Sequence, residues 1–341
     1  MAFGNSSFDE ILSTTLKNYV PRLTDNIFSA RPLFYALTNG QTMRRIGGGA
    51  KIVVPVLGKT NATAASYSGT DTIATTASDG MTAAEYDWGQ YAVTVTISGI
   101  EEAKNNGEEQ IIDLLEGKIF QAQETVISNM NTMLFGNGEG NSQKDWNGIG
   151  NLVQDGAVTN SNGAAQTRLR TIGGIDSSDS DNAWWRSTVT DHTANSGNLS
   201  LAAMGTLYNT VSVGNDQPTI IMTSQQGYEA YEALLTSNVR YTDTDMANSG
   251  FQNLMFKGAP VVFDDDCPAG TDQSNHSGSG RVYMLNTKYI QLVAHSDVWF
   301  KPTPFVRPTN QDSVFSQILC YGQLTISNRA RQGFLDNVLD A

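Results

Sequence analysis

From Gly58 to Ala84 the chain is a tract of Thr, Ala, Ser, Asp and Gly with almost no large apolar side chain. Strand patterns stand on both sides of it. Lys51–Leu57 reads as a strand whose Pro55 argues for an edge position, because proline has no N–H to give to a ladder. Glu85–Ser98 shows partial alternation at Tyr86, Trp88, Tyr91, Val93, Val95 and Ile97. A segment without apolar residues has nothing to bury, so the pair of strands is expected as a long β-hairpin excursion. At roughly 3.3 Å per residue each arm would reach about 30–40 Å. A projection without a core is normally stabilised by a partner.

The second constraint is Glu108–Leu134, the longest helical pattern in the chain. Ile111, Leu115, Ile119, Ala122, Val126, Met130 and Met133 recur in steps of three and four. Glu108 and Glu109 suit the positive end of the helix dipole, Asn105–Gly107 offer caps, and Gly136 and Gly138 stop the helix. It would extend roughly 40 Å. Ile112, Leu114, Phe120 and Ile127 widen the apolar face, so packing on more than one side is expected.

Upstream, Phe8–Asn18 reads as a short helix broken by Pro21. Phe28, Leu33, Phe34 and Leu37 then punctuate an arm with too little apolar content to fold alone. Those side chains should lie on another surface, in the same domain or on a neighbouring subunit. Gly47–Gly49 is a flexible joint. Downstream, Asp155–Asn198 is loop-like apart from Trp184-Trp185-Arg186. Ser200–Ser212 reads as an amphipathic helix, Thr219–Met222 as a buried strand, and Ser224 as the cap of a helix over Gln225–Leu235. Phe251–Phe263 is a hairpin turning at Lys257-Gly258, followed by strands at Val282–Leu285, Tyr289–His295 and Val314–Ser327. Helices and strands mix without a βαβ rhythm, which gives an α+β class.

Composition narrows function. The 341 residues suffice for two domains or one large fold with excursions, and 39% hydrophobic content supports a core. A net charge of −13 argues against a groove-reading nucleic-acid binder and would help keep an abundant protein soluble. The two cysteines, Cys267 and Cys320, read as free thiols in a reducing compartment. No apolar run reaches the length of a membrane span, and the N-terminus does not read as a secretion signal.

No catalytic constellation emerges, and the chain is expected not to be an enzyme, with no cofactor. Gly58-Lys59-Thr60 lacks the glycine of a phosphate loop, since Val53 stands there. Gly136, Gly138 and Gly140 follow a helix and not a strand, and read as a stop. Asp264-Asp265-Asp266 offers carboxylate oxygens for a divalent cation but reads first as an acidic turn. His192, His276 and His295 share no ligand spacing.

An arm, a long hairpin, a long helix and a mixed sheet domain together resemble the Hong Kong 97-like major capsid proteins of tailed double-stranded DNA phages. Several segments look like one branch of that family: Ile172-Gly173-Gly174-Ile175-Asp176, Trp184-Trp185-Arg186, and Phe251 to Gly258. Leu285 to Tyr289, Phe300-Lys301-Pro302, Phe305 to Pro308, and Asn328 to Gly333 do so as well. The resemblance implies an N-terminal arm at 1–45, an extended loop at 46–100, and the spine helix of a peripheral domain at 101–149. An axial domain with parts of the peripheral domain would occupy 150–310, and return strands of the peripheral domain 311–341. It implies self-assembly into pentamers and hexamers of an icosahedral or prolate head, formed in the host bacterial cytoplasm and enclosing double-stranded DNA without sequence specificity. A portal is a further partner, as are candidate scaffold and decoration proteins; no membrane is involved. The arm begins almost at Met1, so a separate scaffold, or none, is expected. Arg44, Arg45, Lys59, Asp71, Glu85, Trp88, Arg329 and Arg331 are the residues expected at the assembly interface. Two alternatives remain: a nanocompartment shell holding enzyme cargo, and a soluble metal-dependent or carbohydrate-active enzyme using Asp264–Asp266.

Overall fold

The computed structural model describes residues 31–38, 42–76, 80–104, 114–156, 170–191, 199–235, 253–268, 280–336 and 338. The first strands are β1 (Met43–Ile46), β2 (Ile52–Leu57), β3 (Met81–Tyr86) and β4 (Gly89–Ser98). Then come β5 (Thr171–Ile172), β6 (Ile175–Asp176), β7 (Thr188–Asp191), β8 (Ile220–Thr223), β9 (Asn253–Phe256) and β10 (Ala259–Phe263). The last are β11 (Val282–Leu285), β12 (Ile290–His295), β13 (Lys301–Pro302), β14 (Ser313–Ile326) and β15 (Gly333–Asp336).

Two larger sheets organise the molecule. In the first, β14 takes β4 along one edge from Ser313 to Gly322, and β12 and β13 along the other, with β1 parallel to β12 outermost. The second is six-stranded in the order β7-β15-β11-β8-β10-β9, with parallel pairs at β7/β15 and β8/β10. Mixed sheets with helices on their faces make this an α+β fold, as expected. The segment 311–341 is divided between them: β14 lies in the first sheet and β15 is an interior strand of the second, between β7 and β11.

The long helix is described from Leu114 to Phe135. Its expected start, with the Asn105–Gly107 caps and Ile111, lies outside the described residues. Ala122, Val126, Met130 and Leu134 are buried at successive four-residue steps. Phe120 is 46% exposed and Ile127 only half-buried, so these two do not widen the buried face, but the helix packs on more than one side as expected, against β4 and β14, the arm helix Pro32–Thr38 and the turn Ile149–Leu152. The helix stops at Phe135, where the Gly136 N–H turns back to the Met133 carbonyl at 3.0 Å and Gly138 takes φ 72°.

In the arm, Phe8–Asn18, Pro21 and Phe28 lie outside the described residues. Pro32–Thr38 forms a short helix, with proline in the first turn where no N–H is needed. Leu33 and Leu37 are each 1% exposed inside the main core of their own subunit. Of the two surfaces the sequence left open, it is the chain's own that they cover, at about 1.5–3 kcal/mol per side chain.

The Glu85–Ser98 strand of the sequence reading is two strands in two sheets. β3 ends at Tyr86, whose ring is buried, and β4 starts at Gly89, where a Cβ would collide with the Trp146 indole. The partner of β2 is therefore β3, from Ile52↔Tyr86 to Leu57↔Met81, and the unpaired tract shortens to 58–80. β2 has no second neighbour, which gives Pro55 its edge. The predicted Ser224 cap holds, its Oγ accepting from the Gly227 N–H at 3.3 Å, and the structure adds a second, Ser200 Oγ accepting from the Ala203 N–H at 3.2 Å. Lys257 and Gly258 turn the β9–β10 hairpin with φ 49° and 90°, the left-handed pair that a two-residue turn needs. Among the described residues no helix is long and apolar enough to cross a membrane.

Candidate assembly surface

The β2–β3 hairpin puts Ile52, Val56, Ala84 and Tyr86 against the body and leaves the other face open. Period-two alternation produces this division. On the open face and beyond it, Val53, Leu57, Tyr67, Ile73 and Met81 are exposed, Met81 to 84% and Leu57 to 75%. These exposed apolar side chains make the hairpin the candidate contact surface.

The root of the hairpin is tied down within the subunit. Gly58 lies against the Trp184 indole, where a Cβ would collide. The Glu85 N–H donates to the Gly173 carbonyl at 3.0 Å, with Gly173 at φ 62°. Lys59 Nζ meets Asp181 Oδ2 at 3.4 Å, and Lys51 Nζ meets Glu85 Oε2 at 3.0 Å, both pairs solvent-exposed. Solvent screens such exposed pairs, so Gly58 and the backbone bond set the hairpin's direction more than the charges do. The 172–176 and 184–186 motifs quoted from the sequence form this anchoring wall, β5–β6 and the 3₁₀ turn Ser180–Trp185.

The expected interface residues divide accordingly. Arg44 and Arg45 are exposed on β1. Lys59 and Glu85 are paired at home as above. Asp71 Oδ2 accepts from the Ser68 N–H at 2.8 Å, in a local turn of the hairpin tip. Trp88 is half-buried: its indole N–H donates to the Gly49 carbonyl at 2.9 Å and its ring lies 5.7 Å from that of His295. Arg331 is half-buried and donates to the Val211 carbonyl at 3.3 Å.

Arg329 requires a correction. It is fully buried inside the subunit, donating to the carbonyls of Leu152 (2.8 Å), Trp185 (2.9 Å) and Gln154 (2.7 Å). Desolvation holds its pKa down to about 10, so it stays protonated at neutral pH. An interface cation needs a surface, and Arg329 has none; it ties the segment after the long helix to the Trp184–Ser187 wall.

The Asp264–Asp266 turn also faces inward. Asp264 is fully buried; Oδ1 accepts from Asn131 Nδ2 at 2.8 Å and from the Asp266 N–H at 3.0 Å, and Oδ2 from the Leu33 N–H at 3.3 Å. Asp266 accepts from Asn131 Nδ2 (2.7 Å) and Thr132 Oγ1 (2.9 Å). Desolvation pushes Asp264 up to about 6. These oxygens join arm, long helix and β10 and are not arranged around an ion; among the described residues no group of three or more metal-ligating side chains occurs. Sequence reasoning missed Asn131, although a lone polar residue between Ile127 and Leu134 on an apolar stripe is a readable signal. Cys267 and Cys320 are free, as expected, and burial raises both thiols, Cys320 to about 11.

Beside the hairpin root a cleft of about 1110 Å³ opens between β3–β4, the 139–151 segment and the β5–β6 turn. Asn141 and Gln143 line one wall and, with Ser142 between them, run at φ 48°, 60° and 65°, a left-handed turn that costs about 1–2 kcal/mol per residue.

This architecture recurs among solved structures. A chain of the cyanophage A-1(L) capsid asymmetric unit is similar over 95% of this chain and 97% of that one, with TM-score 0.67 and 18% identity. This is the Hong Kong 97-like fold. The capsid of the native GTA particle matches 98% of this chain and 100% of that one at TM-score 0.59 and 12% identity. The SrpI encapsulin from Synechococcus elongatus PCC 7942 matches 97% and 95% at TM-score 0.60 and 12% identity. No protein-family model matches the sequence, and no curated protein does.

Proposed function

We propose that the chain is the major capsid protein of a tailed phage, assembling through copies of itself into pentamers and hexamers around double-stranded DNA. The observation that carries this reading is the likeness over 95% and 98% of the chain to capsid chains of a cyanophage and of the GTA particle. The open face of the hairpin supports it, because exposed Leu57, Met81, Tyr67 and Ile73 need a neighbour to cover them. A tethered root and a bare tip suit a subunit that meets neighbours at slightly different angles in rings of five and six. A net charge of −13 weakens attraction between wall and DNA and so favours packing and release. Portal, scaffold and decoration proteins are further partners on this reading, the virion is its location, and its role is structural and not catalytic.

The likeness to SrpI encapsulin favours one second reading, a nanocompartment shell around a protein cargo. Electron microscopy of the expressed chain, alone and with its scaffold, tests both. Closed shells are expected; only small discrete particles under every condition would sink the shell reading. Nuclease-protected DNA in shells from the native source supports the phage head, and a co-purifying enzyme in place of DNA supports the compartment.

A further inference from the structure

The arm is held to the body by a polar knot as well as by Leu33 and Leu37. Asn131, fully buried on the long helix, accepts from the Phe34 N–H at 3.2 Å through Oδ1. Its Nδ2 is shared between two carboxylates, Asp264 Oδ1 at 2.8 Å and Asp266 Oδ2 at 2.7 Å. Asp264 also reaches the arm directly, its Oδ2 accepting from the Leu33 N–H at 3.3 Å. One buried carboxyl and one buried amide therefore hold two successive N–H groups of the Pro32–Thr38 helix. N–H groups of a first helical turn have no partner within the helix, so the seat of the arm depends on these two side chains.

The charged and titratable groups around the knot come from each element packed on it. On the arm side Arg31 pairs with Glu124 of the long helix at 3.2 Å. The turn after β10 contributes Asp265, Asp266 and the buried thiol of Cys267. On β11, Arg281 pairs with Asp336 at 2.9 Å and donates to the Tyr283 hydroxyl at 3.3 Å. Among the described residues Asp266 is the one whose charge bears on Asp264, and it opposes ionisation. Burial opposes it more strongly, and the three N–H donors, from Asp266, Asn131 and Leu33, offset only part of that. The ionised carboxylate therefore gains by leaving the knot, and the protonated carboxyl does not. We propose that Asp264 is a proton-operated latch on the arm: the protonated carboxyl keeps the Pro32–Thr38 helix seated on the long helix, and ionisation loosens it. Leu33 and Leu37 form the part of the seat that pH does not touch. Loosening frees both for the other surface the sequence left open to them, a neighbouring subunit.

Amide hydrogen exchange of the full-length, unassembled chain, corrected for the intrinsic rate at each pH, tests the latch. A carboxyl that moves from about 6 when seated to an ordinary 3.8 when released predicts a rise of about ten-fold in the opening of residues 32–38 between pH 5 and pH 7.5, levelling off above about pH 6.5. Asp264→Asn keeps an acceptor but cannot ionise, and its opening should change less than about two-fold over the same range. At pH 7.5 the arm should also open at least about ten-fold more often than the core strand Ile220–Thr223. A wild-type arm whose opening does not change with pH overturns the latch, and so does a rise that survives in Asp264→Asn. Equal protection of the arm and of Ile220–Thr223 overturns it too, because the arm then opens only with the whole subunit. If Asp264→Asn fails to fold, Asp266→Asn decides: loss of the opposing charge should lower the pH at which opening levels off, and an unmoved levelling point counts against the proposal. All of these outcomes are read on the single subunit and leave the shell reading, which microscopy scores, untouched.

Discussion

Replacing Arg329 by methionine should destabilise the subunit by about 4 kcal/mol. Methionine fills much of the same volume but donates nothing. Of the three carbonyls that Arg329 serves, Gln154 O keeps the Ser187 N–H at 3.0 Å, while those of Leu152 and Trp185 lose the guanidinium. Two buried acceptors left unmet cost about 1–3 kcal/mol each, or roughly 2–6 together. Loss of the guanidinium at 6.0 Å from the Trp185 ring adds to this, and release of a buried charge from its desolvation subtracts from it. Arg329→Lys keeps the charge but presents a single ammonium to carbonyls spread over three segments, and should lose about half as much. The assay is urea unfolding of the unassembled subunit followed by tryptophan fluorescence, in which Trp185 is a local reporter. A loss below about 1 kcal/mol for Arg329→Met would refute the internal-hub account. So would a fully stable variant that fails only at assembly, since that outcome belongs to an interface residue.

Asp264 gives a pH test whose sign follows from its raised pKa. Its contribution to stability is fully present below pH 3.8 and is lost as pH rises through about 6, because the ionised form is the one that burial penalises. The stability difference between wild type and Asp264→Asn should therefore shift by about 2 kcal/mol between pH 4 and pH 7 in favour of the variant; a constant difference across that range would show that the carboxylate is not desolvated. Deleting residues 61–79 keeps β2 and β3 and should leave thermal unfolding of the subunit within a few degrees of wild type while shell formation drops sharply. An unfolded deletion product would mean that the tip is core. Exchanging exposed Leu57 and Met81 for serine should change subunit stability by less than about 0.5 kcal/mol yet lower shell yield in sedimentation, and unaltered sedimentation would remove these side chains from the contact.

The sequence alone determined the elements whose physics is local. Burial at Ala122, Val126 and Met130, the cap at Ser224, and the Lys257-Gly258 turn each depend on residues within a few positions of one another. The core-poor tract was equally plain, because the lack of apolar side chains is a property of composition. What the sequence left undecided was who pairs with whom. The run from Glu85 to Ser98 reads as one strand, and only the tertiary pairing of β3 with β2 and of β4 with β14 divides it between two sheets. Arg329 and Asp264 read as surface charges, as Arg and Asp usually are, and only the carbonyls of Leu152, Gln154 and Trp185 and the amide of Asn131, contributed by distant segments, draw them inside. The arm latch belongs to the same class: its N–H groups come from the arm, its amide from the long helix and its acids from the turn after β10, and they form one knot only where the fold brings them together. Local propensity and capping act over a few residues, whereas burial, charge balance and strand partnership are properties of contacts between segments far apart in sequence.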